Sequence, residues 1–144
     1  MLKNIPSILT PELLKTLMEM GHGDELVIGD GNFPAASHAQ KLIRCDGHGV
    51  PILLDAILKL FPLDRFVECP VALMAVVDDT DDTEPPIWNT YREIIKNHEP
   101  VNNAIKCEER FAFYERAKKA YAIIATGETA LYANVILKKG VIEG

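Results

Sequence analysis

Cysteine, tryptophan and positive charge are all scarce in this chain, and it has no long apolar run. Its three cysteines, Cys45, Cys69 and Cys107, are odd in number and widely scattered, with no C-x-x-C pair. That pattern argues against a disulfide framework and against structural zinc. Lysine and arginine total 15 against 21 aspartates and glutamates, a net charge of −6. Such a balance offers no electrostatic footprint for nucleic acid. The one basic cluster, Arg116 with Lys118 and Lys119, reads as a solvated helix end, where cations favour the helix dipole. No stretch approaches the ~20 apolar residues that span a bilayer. Met1-Leu2-Lys3-Asn4-Ile5-Pro6 lacks the apolar core and cleavage site of a signal peptide. The expectations are a cytoplasmic protein with no membrane and no nucleic-acid partner.

Other absences concern sites. His38, His48 and His98 show no metal-ligand spacing. The acidic run Asp78-Asp79-Thr80-Asp81-Asp82-Thr83-Glu84 lacks the glycine of a calcium loop and is followed by two prolines, so it reads as a solvated loop. Neither Gly47-His48-Gly49 nor Gly127-Glu128 completes a G-x-G-x-x-G or P-loop phosphate cradle.

What is present is a globular composition, 48% hydrophobic and 25% charged, in 144 residues. That length suits one domain, 1–144, with a real core. Thr10-Pro11-Glu12 opens a helix with an N-cap, a first-position proline and an early acidic residue. Leu13, Leu14, Leu17, Met18 and Met20 supply its apolar face, and Gly21 reads as its C-cap. A short strand follows at Leu26–Ile28. Further helices are predicted at 51–60, 87–98 and 110–119. Apolar runs at 71–77, 121–126 and 131–137 read as strands, the first as a central one covered on both faces. Helices alternating with such strands predict an α/β fold: a single three-layer domain with a mainly parallel sheet flanked by helices.

The chemistry-bearing residues cluster around the first strand. His22 sits between glycines just past a helix stop, either capping terminal carbonyls or moving protons. Asp30 follows the strand, either closing an Asx turn in Asp30-Gly31-Asn32 or facing a ligand beyond the strand's carboxyl end. Tyr132 and Asn134, two apart, are expected on one face of the last strand, where an asparagine must find partners or face a ligand. Arg110 opens a helix, where the dipole disfavours a cation.

With those residues in hand, the sequence resembles the D-ribose pyranase / L-fucose mutarotase family, and its L-fucose branch more closely. The resemblance covers nearly the whole chain. It runs from Leu9-Thr10-Pro11-Glu12-Leu13-Leu14 through Met20-Gly21-His22-Gly23-Asp24-Glu25 and Asp30-Gly31-Asn32-Phe33-Pro34. Arg44-Cys45-Asp46-Gly47 and Pro62-Leu63-Asp64 continue it. The last third matches best, at Arg110-Phe111-Ala112-Phe113-Tyr114-Glu115-Arg116-Ala117, Thr126-Gly127-Glu128, Tyr132-Ala133-Asn134 and Lys138-Lys139-Gly140-Val141. Fucose mutarotases often carry Tyr-Gly-Asn at the Tyr132 block, whereas the alanine form is familiar from the ribose branch.

The resemblance implies an isomerase without cofactor or metal that interconverts the α and β anomers of a free monosaccharide, L-fucose. By resemblance, His22 matches the proton-donor histidine. Asp30, Arg110, Tyr132 and Asn134 match positions that hold the sugar, and Asp64 and Tyr114 lie in family blocks as further substrate-binding candidates. It also implies a homo-oligomer, often a decameric ring, with active sites at subunit boundaries. The alternatives are a D-ribose pyranase, interconverting pyranose and furanose rings, and a non-catalytic sugar-binding protein. Anomer exchange opens a hemiacetal and closes it on the other face. It needs one group to protonate the ring oxygen and another to take the anomeric hydroxyl proton, work suited to a near-neutral imidazole.

Overall fold

Thr10 begins the first helix as its side chain dictates. In a computed structural model that describes residues 1–77 and 83–144, its hydroxyl accepts the Leu13 N–H at 3.1 Å and opens α1 (Pro11–Glu19). Met20 caps the other end, and the left-handed turn that follows falls at Gly23 (φ 86°) rather than at Gly21. The chain then runs through β1 (Glu25–Gly29), α2 (Ala35–His38), β2 (Leu42–Cys45), α3 (Val50–Leu58) and β3 (Val71–Met74). It finishes with α4 (Pro86–His98), β4 (Ile105–Glu108), α5 (Arg110–Lys119), β5 (Ala122–Thr126) and β6 (Val135–Lys138).

All six strands join one sheet in the order β2-β5-β1-β6-β3-β4. β2, β5 and β1 are mutually parallel, as are β3 and β4. β6 alone runs backwards, antiparallel to both β1 and β3. The mainly parallel sheet therefore holds, with one reversed strand near its centre. Alternate side chains face opposite layers. Leu26, Ile28, Ile124, Val135 and Leu137 pack against Leu13, Leu17, Leu53, Ile57 and Tyr91 of α1, α3 and α4. Val27, Ala72, Ile123 and Ile136 pack against Phe33, Ala35, Phe113 and Ala117 around α2 and α5. The fold is three-layered, as predicted.

Several local expectations are corrected. β3 stops at Met74, not Val77, and β2, β4 and α2 had no strong pattern to announce them. The last strand starts only at Val135, because residues 131–134 form a turn and an extended lead-in. Tyr132 and Asn134 therefore do not share a strand face. Arg116 is not a solvated helix-end residue: its side chain is 19% exposed and its guanidinium pairs with Glu25 and Glu108. Of the acidic run, Asp78 to Asp82 lie outside the described residues. Among the described residues, no helix is long and apolar enough to cross a membrane.

Candidate active site

β1 and β6 lie side by side in opposite directions, so each delivers polar residues to either end of the pair. At one end β1 stops and β6 starts, which sets Asp30 beside Asn134. The Asp30 N–H donates to Asn134 Oδ1 at 2.7 Å. That bond fixes the amide and leaves its N–H groups without a partner among the described residues. Asp30 closes an Asx turn, its Oδ1 accepting the Asn32 N–H at 3.0 Å. Burial pushes the Asp30 carboxyl above its ordinary pKa; the N–H groups of Asn32, Ala133 and Phe33 oppose that rise and the Glu128 charge adds to it.

Tyr132 adopts φ 56°, uncommon for any residue but glycine. Two residues one turn apart on α4 hold it there. Trp88 Nε1 donates to Tyr132 O at 2.8 Å, and the Tyr91 hydroxyl donates to Ala133 O at 2.7 Å. Burial drives the Tyr91 phenol well above its usual range, with the Glu128 and Asp30 charges adding to the shift, so it stays a donor. The Tyr132 hydroxyl accepts the Val77 N–H at 3.3 Å.

α5 brings Arg110 and Tyr114, four residues apart on one helix face. Glu109 compensates for a cation at the helix start: its carboxylate accepts the Phe111 and Ala112 N–H groups, each at 3.0 Å. Those bonds pull the Glu109 carboxyl below its ordinary pKa. The Arg110 guanidinium lies 5.6 Å and 5.7 Å from the Phe111 and Tyr114 ring centres. It has no carboxylate partner among the described residues. Asp30, Arg110, Tyr114, Tyr132 and Asn134 surround one open cavity of about 470 Å³, with Phe33, Met74 and Leu131 as apolar walls. Its size suits a small ligand held by a few polar groups.

The other end of the β1–β6 pair holds the second cluster. His22 Nε2 meets Asp64 Oδ1 at 3.1 Å, and the same oxygen accepts the Phe66 N–H at 3.0 Å. The His22 side chain is 47% exposed and that of Asp64 only 4%. A buried carboxylate on one ring nitrogen orients the imidazole and leaves its other edge open. His22 does not cap α1; Lys139 Nζ takes that place. The five residues of β1, at about 3.3 Å each, hold this pair and the cavity apart.

The structure thus gathers five of the sequence candidates around one cavity, pairs the other two, and separates the groups within one chain. Sequence reading missed Trp88 and Tyr91 as groups that shape the cavity. Their polar tips were the available signal, since a buried indole or phenol needs a partner. Among the described residues, no group of three or more histidine, cysteine or acidic side chains is placed to hold a metal ion.

Comparison with known proteins agrees with this architecture. Residues 3–142 match the sequence model of the RbsD / FucU transport protein family. A fucose mutarotase of Homo sapiens is 53% identical over 146 residues, covering 98% of this chain and 94% of that protein. The crystal structure of a fucose mutarotase from Streptococcus pneumoniae in complex with L-fucose matches with a TM-score of 0.93 and 58% identity, covering 99% of this chain and 100% of that one. Bacillus subtilis RbsD complexed with D-ribose shares the fold, with a TM-score of 0.71 at 23% identity over 99% of this chain and 100% of its own.

Proposed function

The chain belongs to the RbsD / FucU transport protein family, and on that premise we propose that it is an L-fucose mutarotase, an isomerase that interconverts the α and β anomers of the free sugar. One observation carries the reading: Asp30, Arg110, Tyr114, Tyr132 and Asn134 converge from separate segments on one cavity, where, among the described residues, the guanidinium and the Asn134 amide keep donors to spare. A sugar presents hydroxyls of both donor and acceptor type, which such a set can hold. Identity with the relatives named fucose mutarotase supports the substrate.

In this mechanism protonated His22, oriented by Asp64, gives its proton to the ring oxygen as the bond from that oxygen to the anomeric carbon breaks. A base takes the anomeric hydroxyl proton; Asp30, Tyr132 or a bound water fills that role. The aldehyde rotates, and the reverse steps close the ring on its other face. No atom or electron is gained or lost, and the reading requires neither cofactor nor metal.

His22 of one chain stands too far from its own cavity, so the proposed site takes its histidine from a second copy. The enzyme is then a homo-oligomer, in the reading a decameric ring of 1–144 mutarotase domains, acting in the cytoplasm. Each half-site carries an exposed aromatic at its rim, Phe66 (65% exposed) beside His22 and Phe111 (66%) beside Arg110. Phe33, Phe61, Trp88 and Phe113 are all buried. Exposed aromatics at such rims suit a subunit contact.

Saturation transfer between the anomers of L-fucose, with D-ribose alongside, tests the proposal. Faster fucose exchange is expected, and His22→Asn should slow the catalysed rate by roughly 10²- to 10⁴-fold, the usual range for a lost acid–base group. Acceleration of ribose ring interconversion alone would point to a pyranase. Saturable fucose binding without faster exchange would point to a binding protein.

A further inference from the structure

The block Lys138-Lys139-Gly140 has no part in the proposed proton transfers, yet it lies between the two loops that meet in the His22–Asp64 pair. On the His22 side, the Gly23 N–H donates to Lys139 O and the Lys139 N–H donates to Asp24 O, both at 2.8 Å. On the Asp64 side, the Asp64 N–H donates to Lys138 O at 3.0 Å and the Gly140 N–H to Pro62 O at 2.8 Å. Leu63 and Lys139 form a β-bridge. Gly140 is pressed so close that a Cβ there would lie 2.5 Å from Leu63 O and 2.9 Å from Asp64 Cα.

The Lys139 side chain adds a third tie. Its Nζ donates to Leu17 O at 2.8 Å and also to Met20 O, the carbonyls at the end of α1. Those carbonyls have no intrahelical donor, and an ammonium satisfies them while favouring the negative end of the helix. His22 follows two residues after Met20. Its loop is therefore pinned at the helix end by the Lys139 side chain and at Gly23 and Asp24 by the Lys139 backbone.

We propose that Lys139 is a positioning residue for the reaction, its ammonium and backbone setting His22 against Asp64. The inference rests on the reading of His22 as the proton donor. Asp30, Arg110 and Asn134 stand at the other end of β1 and β6, so sugar holding is independent of this tie. Lys139 acts on turnover, through His22, and leaves affinity alone.

The test compares Lys139→Met, Lys139→Arg and His22→Asn in the intact protein. Lys139→Met should lower kcat for L-fucose anomer exchange by about tenfold or more, since small misplacements of a reacting group are costly. KM and the number of L-fucose sites per chain, read by calorimetry, should stay as in the wild type. Proton–nitrogen NMR signals of the His22 ring, assigned through His22→Asn, should move while those of His38, His48 and His98 stay. Lys139→Arg keeps N–H donors and should recover most of the rate. Should Lys139→Met not fold, Lys139→Gln, polar but neutral and one bond too short to bridge both carbonyls, carries the same readouts. A wild-type kcat overturns the proposal, and so does a lower rate accompanied by fewer sugar sites and unmoved His22 signals. Failure of the parent reading is separate: it shows as wild-type exchange in His22→Asn. An inactive His22→Asn beside a fully active Lys139→Met removes only the role of Lys139.

Discussion

Asp30 is held where an ionised carboxyl is poorly solvated, and the consequence is a conflict between stability and function. Its pKa in the folded chain lies above the ordinary 3.8 because burial disfavours the charge. Between those two values the folded state binds more protons than the unfolded state. Unfolding free energy therefore falls as pH rises through that window and stays lower above it. Asp30→Asn is expected to raise the midpoint of thermal unfolding at pH 7, with the gain shrinking as pH is lowered toward 4, while L-fucose exchange is lost. A lowered midpoint at pH 7 would mean that the carboxylate's bonds to backbone N–H groups outweigh its burial. Arg110→Ala removes a donor with no ion-pair partner among the described residues. It should raise KM by roughly ten- to a hundredfold, the equivalent of about 1–3 kcal/mol for a lost charged hydrogen bond. Titrating exchange rate against sugar concentration checks this. Residue types alone made Asp30, Arg110 and Asn134 legible, because each broke a local rule: a carboxylate past a strand, a cation at a helix start, an amide among apolar residues. The left-handed φ of Tyr132 was not legible, since it is imposed by Trp88 and Tyr91 across 44 and 42 residues of sequence.

α4 shows how an element far from the chemistry fixes the site. Trp88 and Tyr91 face the core as any apolar stripe would, yet their polar tips clamp consecutive carbonyls of the 131–134 lead-in. Tyr91→Phe keeps the ring and deletes one hydroxyl, leaving Ala133 O without that donor inside the protein. The expected loss is about 1–3 kcal/mol of stability, seen as a lower urea midpoint at unchanged slope. L-fucose binding should weaken in the same variant, because Asn134 directly follows the freed Ala133. Unchanged sugar affinity would reduce the clamp to packing. Longer elements were readable from their caps and periodicity, as α5 (Arg110–Lys119) shows by matching its sequence-derived bounds. β2 and β4 were not. Each is four residues long at a sheet edge, and Ile105–Glu108 has no fully buried position to produce a period-two signal. The 131–137 run misled for the opposite reason: Leu131 and Tyr132 line the cavity and Ala133 is buried in the core, and none of them pairs in the sheet.

Across the whole molecule, the antiparallel pairing of β1 with β6 has the largest functional consequence. It places His22 and Asp64 at one end of the central pair and the proposed sugar cavity at the other, so one chain in this fold does not supply both halves of the proposed site. The surface next to His22 is a groove of about 580 Å³ lined by Ile5, Leu14, Met18, Val141 and Ile142. Met18 and Ile142 are 85% and 79% exposed, an apolar area of the kind that subunits cover. This arrangement makes a quantitative prediction. His22→Asn and Asp30→Asn each disable a different half, so each homo-oligomer should be inactive. If the subunits are dissociated, mixed in equal amounts and reassembled, a given site draws an intact histidine half from one copy and an intact cavity half from its neighbour, each with even odds. L-fucose exchange should then return to about a quarter of the wild-type rate, the product of those odds for a heterologous contact between identical chains. Mixing without dissociation should restore nothing. A reassembled mixture that stays silent, while reassembled wild type recovers full exchange, would place both halves of the site within one chain and require a large rearrangement of the β1–β6 pair.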